Sequence, residues 1–221
     1  MASNICASSI LACGMRITLL DDSGNVASQS NNYTVTDALI DLQLSPQISQ
    51  GPDRELRSGC ACIIASAKFP DLLKRFTFQV RIGQLDPSLL GLMLGATVIT
   101  SGGAAIGFDW PDSGVSCSAT PPPKVGLEVW SYVWEDDGQN ETLPYWHWVW
   151  PMTRWTIGQA TLSEDFLQLP LTGYSLPNGL WGHGPYSDDP GTVIGSLGSV
   201  WQTADTPPAA TCGYGTITPG S

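Results

Sequence analysis

Residues 75–95 read RFTFQVRIGQLDPSLLGLMLG, and the fold class follows from them. Phe76, Phe78, Val80 and Ile82 alternate with Thr77, Gln79 and Arg81, the period of two of a strand with one buried and one wetter face. Gly83 ends it. Asp86 can accept hydrogen bonds from the free amides of a following turn, Pro87 sits where its missing N–H costs nothing, and Gly95 can take the left-handed conformation that ends a helix. Between those caps Leu89, Leu90, Leu92, Met93 and Leu94 leave almost no polar face. A helix so short and apolar is unstable alone in water, so the sheet, a neighbouring subunit or both must cover it.

Working outward, the same grammar gives further strands. Residues 15–20 predict a first strand, turned by Asp21, Asp22, Ser23, Gly24 and Asn25. Residues 34–44 predict a longer one, with Thr36, Ala38, Ile40, Leu42 and Leu44 on one face and Asp37, Asp41 and Gln43 opposite. Residues 45–59, SPQISQGPDRELRSG, form a polar loop or extended hairpin arm carrying Arg54, Glu55 and Arg57. A loop of that length in a compact domain is usually functional. Residues 60–67 are small and apolar and predict a short buried strand; residues 97–110 predict strand and turn. Residues 125–134 predict a strong strand, with Val125, Leu127, Val129 and Val133 facing one way and Glu128, Trp130, Tyr132 and Trp134 the other. Residues 144–155, PYWHWVWPMTRW, place Trp146, Trp148 and Trp150 on one strand face and His147 and Val149 on the other; residues 166–175 alternate again. The tail beyond Pro177 is turn-rich and reads as a surface-hugging extension. Seven to nine strands and one capped helix in a single domain over residues 1–221 predict a mainly β protein, a β-sandwich with one flanking α-helix and a long arm.

Composition bounds the function. Charged residues are 13% of the chain, about half the usual share, and nine Trp are present. Such a surface suits a protein that meets other copies over much of its area. Twenty acids against nine bases give a net charge of −11, so no basic footprint for gripping nucleic acid exists. No run of about 18 apolar residues predicts a membrane span. Ile10, Leu11, Ala12 and Cys13 loosely resemble a lipoprotein cleavage box, yet no Lys or Arg precedes Arg16, which favours a first strand over an export signal. On that reading the six Cys are expected to be free, buried thiols.

Catalytic grammar is mostly absent from the sequence. It contains no G-x-S-x-G elbow, H-E-x-x-H pair, phosphate-binding glycine loop or dinucleotide fingerprint, and no spacing that calls for a cofactor or metal. One alternative survives. Trp146, Trp148 and Trp150 could form a sugar platform, and Glu128, in a strand on a Trp-lined face, could be the nucleophile of a glucanase-like β-sandwich protein. Size, acidity and Trp content resemble those of small β-sandwich glucanases. No second carboxyl group is placed to partner Glu128, because the remaining Glu residues fall in loops or just before a strand.

A second resemblance rests on motifs spread along the chain. These are a polar loop with Arg54 and Glu55 before Gly59, a strand leading to a D-P-x-L-L helix that ends at Gly95 and Ala96, a strand leading to Trp150 and Pro151, and a late N-x-x-W-G-x-G-P segment formed by Asn178, Trp181, Gly182, Gly184 and Pro185. Over most of residues 34–190 the chain resembles the major tail tube proteins of long-tailed bacteriophages. The resemblance implies a non-enzymatic virion protein, assembled in the host cytoplasm into hexameric rings that stack into a tube around a tape-measure protein. Tail terminator and distal tail proteins would be its other partners. DNA would pass down the bore without specific binding. Arg54, Glu55 and Arg57 would then form an inter-ring arm, Asp37, Asp41 and Gln43 would line an acidic lumen with the Thr77 and Gln79 face beside them, and Asp86, Leu89, Leu90, Leu92 and Met93 would form a helix packing between subunits.

Overall fold

The structure, a computed structural model, describes residues 7–60, 62–111, 121–135, 138–160, 168–186, 190, 196–211 and 213–217. Within them the chain is mainly β with one helix. The strands are β1 (Ser8–Leu20), β2 (Tyr33–Thr36), β3 (Leu39–Ser49), β4 (Asp53–Arg57), β5 (Ile63–Lys68), β6 (Leu72–Ile82), β7 (Thr97–Ser101), β8 (Ala104–Asp109), β9 (Lys124–Glu135), β10 (Gly138–Gln139), β11 (Tyr145–Ile157), β12 (Leu169–Ser175) and β13 (Ser199–Thr203). The helix, α1 (Pro87–Leu94), falls between β6 and β7. All strand pairs are antiparallel.

The stretch around α1 folds as its residues dictate. Phe78, Val80 and Ile82 of β6 are buried while Gln79 and Arg81 are exposed. Asp86 caps the helix, its carboxylate accepting from the Ser88 amide at 2.8 Å, with Pro87 in the first turn. Gly95 ends it at φ 74° with its N–H donated to the Gly91 carbonyl at 3.0 Å. Leu89, Leu90, Leu92, Met93 and Leu94 are at most 5% exposed. The cover comes from the chain itself: α1 packs on β1, β2, β9 and β11 and is flanked by the β7–β8 hairpin. The expectation that this helix packs between subunits is therefore corrected. Its apolar surface is consumed inside one protomer.

Seven strands run in the order β2-β1-β9-β11-β12-β6-β3, with β10 added to β9 and β13 to β11. β11 joins two halves of this sheet. Its first part, from Tyr145, pairs with β9 on one side and β13 on the other, whereas Thr153–Ile157 pairs with β12. The register breaks between Trp150 and Thr153, at Pro151, which has no N–H for a ladder. The bend lets β3 approach β1. One core cluster fills the space, drawing Met15 and Ile17 from β1, Leu127 and Val129 from β9, Trp150 and Trp155 from β11, and the apolar face of α1. Phe78 holds the two Trp together, edge-on to Trp150 at 5.2 Å and stacked on Trp155 at 5.5 Å.

Two strand expectations change. The predicted strand over 34–44 is two strands, because the Thr36 hydroxyl accepts the Ala38 amide at 3.1 Å and turns the chain at Asp37. β2 then serves β1 while β3 serves β6. The predicted buried strand over 60–67 is β5, exposed along its whole length. Cys60 and Cys62 beside it are exposed free thiols, contrary to the expected burial, and Cys13 is free and half-buried. Cys6, Cys117 and Cys212, with Glu164 and Phe166, lie outside the described residues.

Candidate functional site

The predicted arm is a β-ribbon. The second half of β3 pairs with the first half of β6 out to Ser49 and Leu72, and β4 with β5 continues the ribbon to a turn closed by the Ser58 amide on the Cys62 carbonyl. The joint is tight: a Cβ on Gly51 would meet the Phe69 carbonyl oxygen at 2.1 Å. From residue 45 to residue 58 the ribbon reaches roughly 40 Å at about 3.3 Å per residue. Among the described elements β4 and β5 pack chiefly on each other. The ribbon nevertheless exposes Ile48, Leu56, Ile63, Ile64, Phe69 and Leu72, each more than half accessible. Of the arm residues singled out in the sequence, Arg57 and Glu55 form an exposed ion pair at 2.6 Å, and Arg54 lies on the other side of β4. That pair is worth little in water. The apolar residues, which the sequence reading passed over, are the unusual feature.

The residues proposed for an acidic lumen do not make an acidic surface. Asp37 lies in the turn between β2 and β3, off the strand that carries Asp41 and Gln43. Directly opposite, Arg81 pairs with Asp41 and Gln79 with Gln43, so the Thr77 and Gln79 face does lie beside them. Arg81 forms an ion pair with the Asp41 carboxylate and also donates to Gln168 Oε1 at 3.2 Å. The same outward face continues across β12 and the end of β11 with Thr172, Tyr174, Arg154 and Thr156. It therefore sets Arg75, Arg81 and Arg154 against the single carboxylate of Asp41, a local excess of positive charge in an acidic protein.

Register separates the two parts of the sugar-site expectation. Trp146, Trp148 and Trp150 stand opposite Ser131, Val129 and Leu127, whereas Glu128 stands opposite Val149 and Trp130 opposite His147. Directly opposed residues share a face, so the three Trp and Glu128 lie on opposite faces of the sheet. Trp150 is core, Trp148 stacks on it at 6.3 Å, and the Trp148 indole N–H donates to Ser131 at 3.0 Å. Trp148 and Trp150 form one wall of a cleft of about 490 Å³ whose far side is Ile40, Leu42 and Leu44 of β3.

Glu128 is sealed. It is 1% exposed and accepts two hydrogen bonds of 2.6 Å from Arg16 across the β1–β9 pair. His147 Nε2 lies 3.2 Å from the same carboxylate, without the alignment of a hydrogen bond, and its ring is held between Trp130 at 4.2 Å and Trp201 at 4.5 Å. Tyr186 closes the cluster, its ring 3.2 Å from the Arg16 guanidinium carbon. Burial alone would raise the Glu128 pKa, but the charge of Arg16 and the contacts of His147 and Arg16 more than offset it and hold the carboxyl below its usual range. Burial pushes the Tyr186 hydroxyl well above the usual phenol value.

The cover over this cluster is the late N-x-x-W-G-x-G-P segment. Asn178 is buried and donates to the carbonyls of Gly24 at 2.8 Å and Pro151 at 3.3 Å, and Trp181 lies flat over Gly126, where a Cβ would meet its ring at 2.3 Å. The described part of the tail contributes β13 on β11 and helps bury a charged pair that local pattern does not reveal. These features define an antiparallel β protein with a closed core, a sealed ion pair and an apolar ribbon projecting from one end of the sheet. Compared against family models and against curated proteins, the sequence finds no match in either.

Proposed function

We propose that this protein is a structural subunit of a long-tailed bacteriophage virion, assembling into rings, hexameric in the family it resembles, that stack into the tail tube. The observation that carries the reading is the ribbon. Two strands isolated in water are marginally stable, and a large exposed apolar surface marks an interaction site. Here Leu56, Ile63 and Ile64 near the tip are all more than half exposed, and among the described elements β4 and β5 pack chiefly on each other. A neighbouring copy would supply that cover. Sparse charge and the sequence motifs around Asp86, Trp150 and Asn178 support the same reading. Tape-measure, terminator and distal tail proteins are the partners it implies.

On this reading the acidic lining does not come from the Asp41 face, where Arg81 cancels the carboxylate and Arg75 and Arg154 add positive charge. Negative-stain electron microscopy of the purified protein, with sedimentation velocity over a wide concentration range, tests the proposal. Rings or tubes of uniform diameter are expected. A strictly monomeric protein at high concentration would sink it.

A further inference from the structure

On the outward face of β6, β12 and β11, a shallow recess of about 250 Å³ is lined by Pro122, Arg154, Thr156, Thr172 and Tyr174. Arg154 and Tyr174 are directly opposed across β11 and β12, and Thr156 is opposed to Thr172, so all four side chains stand on one face. Arg75 joins from β6, its guanidinium carbon 5.1 Å from the centre of the Tyr174 ring. Neither arginine has an ion-pair partner among the described residues, and the Nε of each is cut off from solvent without a hydrogen-bond acceptor. The third arginine of this face, Arg81, is neutralised by Asp41.

Two guanidinium groups, each with a sealed and unsatisfied Nε and no carboxylate partner among the described residues, flank one tyrosine ring in a protein that has more than two acids for each base. Acidic side chains to satisfy them are plentiful in the chain, yet among the described residues none is paired with either arginine. An unsatisfied N–H of this kind raises the local potential and makes binding of an oxyanion more favourable. The Thr156 and Thr172 hydroxyls, 3.0 Å apart, can turn one proton outward. The Arg154 guanidinium with the Thr156 and Thr172 hydroxyls at the recess, and Arg75 across the Tyr174 ring, suit the three or four oxygens of a phosphate, which carries more charge and more acceptor sites than a carboxylate. Because each Nε is sealed, contact would be made through the terminal Nη groups, in the forked geometry arginine uses for phosphate.

We propose that the recess between Arg154, Tyr174 and Arg75 is a phosphate-binding site, taking either free phosphate or the phosphodiester of a nucleic acid. The site does not depend on the tail-tube reading, which rests on the apolar β4–β5 tip of the ribbon beyond Arg75.

The test is thermal stability of the full chain titrated with inorganic phosphate against sodium chloride and acetate at matched ionic strength. A ligand that binds only the folded state raises the melting temperature in proportion to the logarithm of its concentration above Kd. Phosphate is expected to stabilise where chloride and acetate do not. Arg154→Gln is expected to weaken the apparent affinity by roughly tenfold or more, the loss of a charge-assisted pair. Arg57→Gln, on the ribbon, is expected to leave the response unchanged. If Arg154→Gln fails to fold, Arg75→Gln, at the rim, carries the same comparison. A short oligonucleotide distinguishes the sources: a response at lower phosphate-equivalent concentration assigns the site to phosphodiester, and its absence assigns it to free phosphate. A phosphate response no larger than that to acetate, or one untouched in both arginine variants, overturns the proposal.

Discussion

Glu128→Gln tests whether the best enzymatic candidate in the sequence is instead a structural charge. Glu128 and Arg16 share two hydrogen bonds of 2.6 Å in a site where both are under 5% exposed. Removing the negative charge takes from the Arg16 guanidinium, buried against Tyr186 and Trp130, the carboxylate that accepts two of its hydrogen bonds. Breaking such a pair costs about 3–5 kcal/mol, a large fraction of the roughly 5–15 kcal/mol that holds a domain together. The loss should appear in the urea midpoint at pH 7 with little change in slope. Replacing both partners, Glu128→Leu with Arg16→Met, removes both buried charges together, so the double variant should recover most of the loss. The pH dependence follows from the lowered carboxyl. A group whose folded pKa is depressed contributes stability above its unfolded value, here near 4.5, and loses it as pH falls through the folded value. The gap between parent and Glu128→Gln should thus stay constant down to about pH 4.5 and narrow only below it. A single variant within about 1 kcal/mol of the parent at pH 7, or a gap already closing at pH 6, would refute the sealed ion pair.

Three further outcomes are expected. Gly126→Ala puts a methyl group 2.3 Å from the Trp181 ring, and overpacking of that kind costs about 1–3 kcal/mol, measurable as a lower urea midpoint; an unchanged midpoint would mean that the tail is not seated on β9. Asp86→Ala removes the acceptor for the Ser88 amide and should cost about 1 kcal/mol, whereas Asp86→Asn should recover most of it. Ile64→Asp on the ribbon touches no core residue, so the free protomer should keep its stability within about 0.5 kcal/mol while rings and tubes are lost by electron microscopy. Wild-type assembly of that variant would remove the ribbon from the interface.

How far the sequence reaches depends on where each residue finds its partner. The caps of α1 were legible because Asp86, Pro87 and Gly95 act on amides and carbonyls within four residues. The turn at residues 21–25 was legible for the same reason, with Asp21 accepting the amides of Ser23, Gly24 and Asn25. Alternation in β9 and β11 also read correctly, but alternation states only that two faces differ. It cannot say which faces meet, and the predicted neighbours, Glu128 and the Trp146–Trp148–Trp150 face, came out on opposite sides because the β9–β11 register sets Val129 against Trp148. Nor can it say that both faces are covered. Glu128 and Trp130 looked like a solvent or ligand face, yet Tyr186 and Trp201 arrive from residues far along the chain to bury them.

The ribbon inverts the same logic. Its alternation and length are those of ordinary strands, and Cys60 to Ala67 looked buried because small apolar residues usually are. Burial, however, requires something to be buried against, and among the described elements β5 packs chiefly on β4. α1 and β5 are thus opposite answers to one question. Both are apolar and too short to persist alone. The chain covers α1 completely, with β1, β2, β9, β11 and the β7–β8 hairpin, and leaves Ile63 and Ile64 of β5 bare. On the proposed assembly, a protomer that spends its own surface to close one apolar element and not the other directs association to the second. The interface to be mutated is therefore the ribbon, and a helix substitution such as Leu90→Asp, at a site 1% exposed, should unfold the protomer before assembly can be assayed.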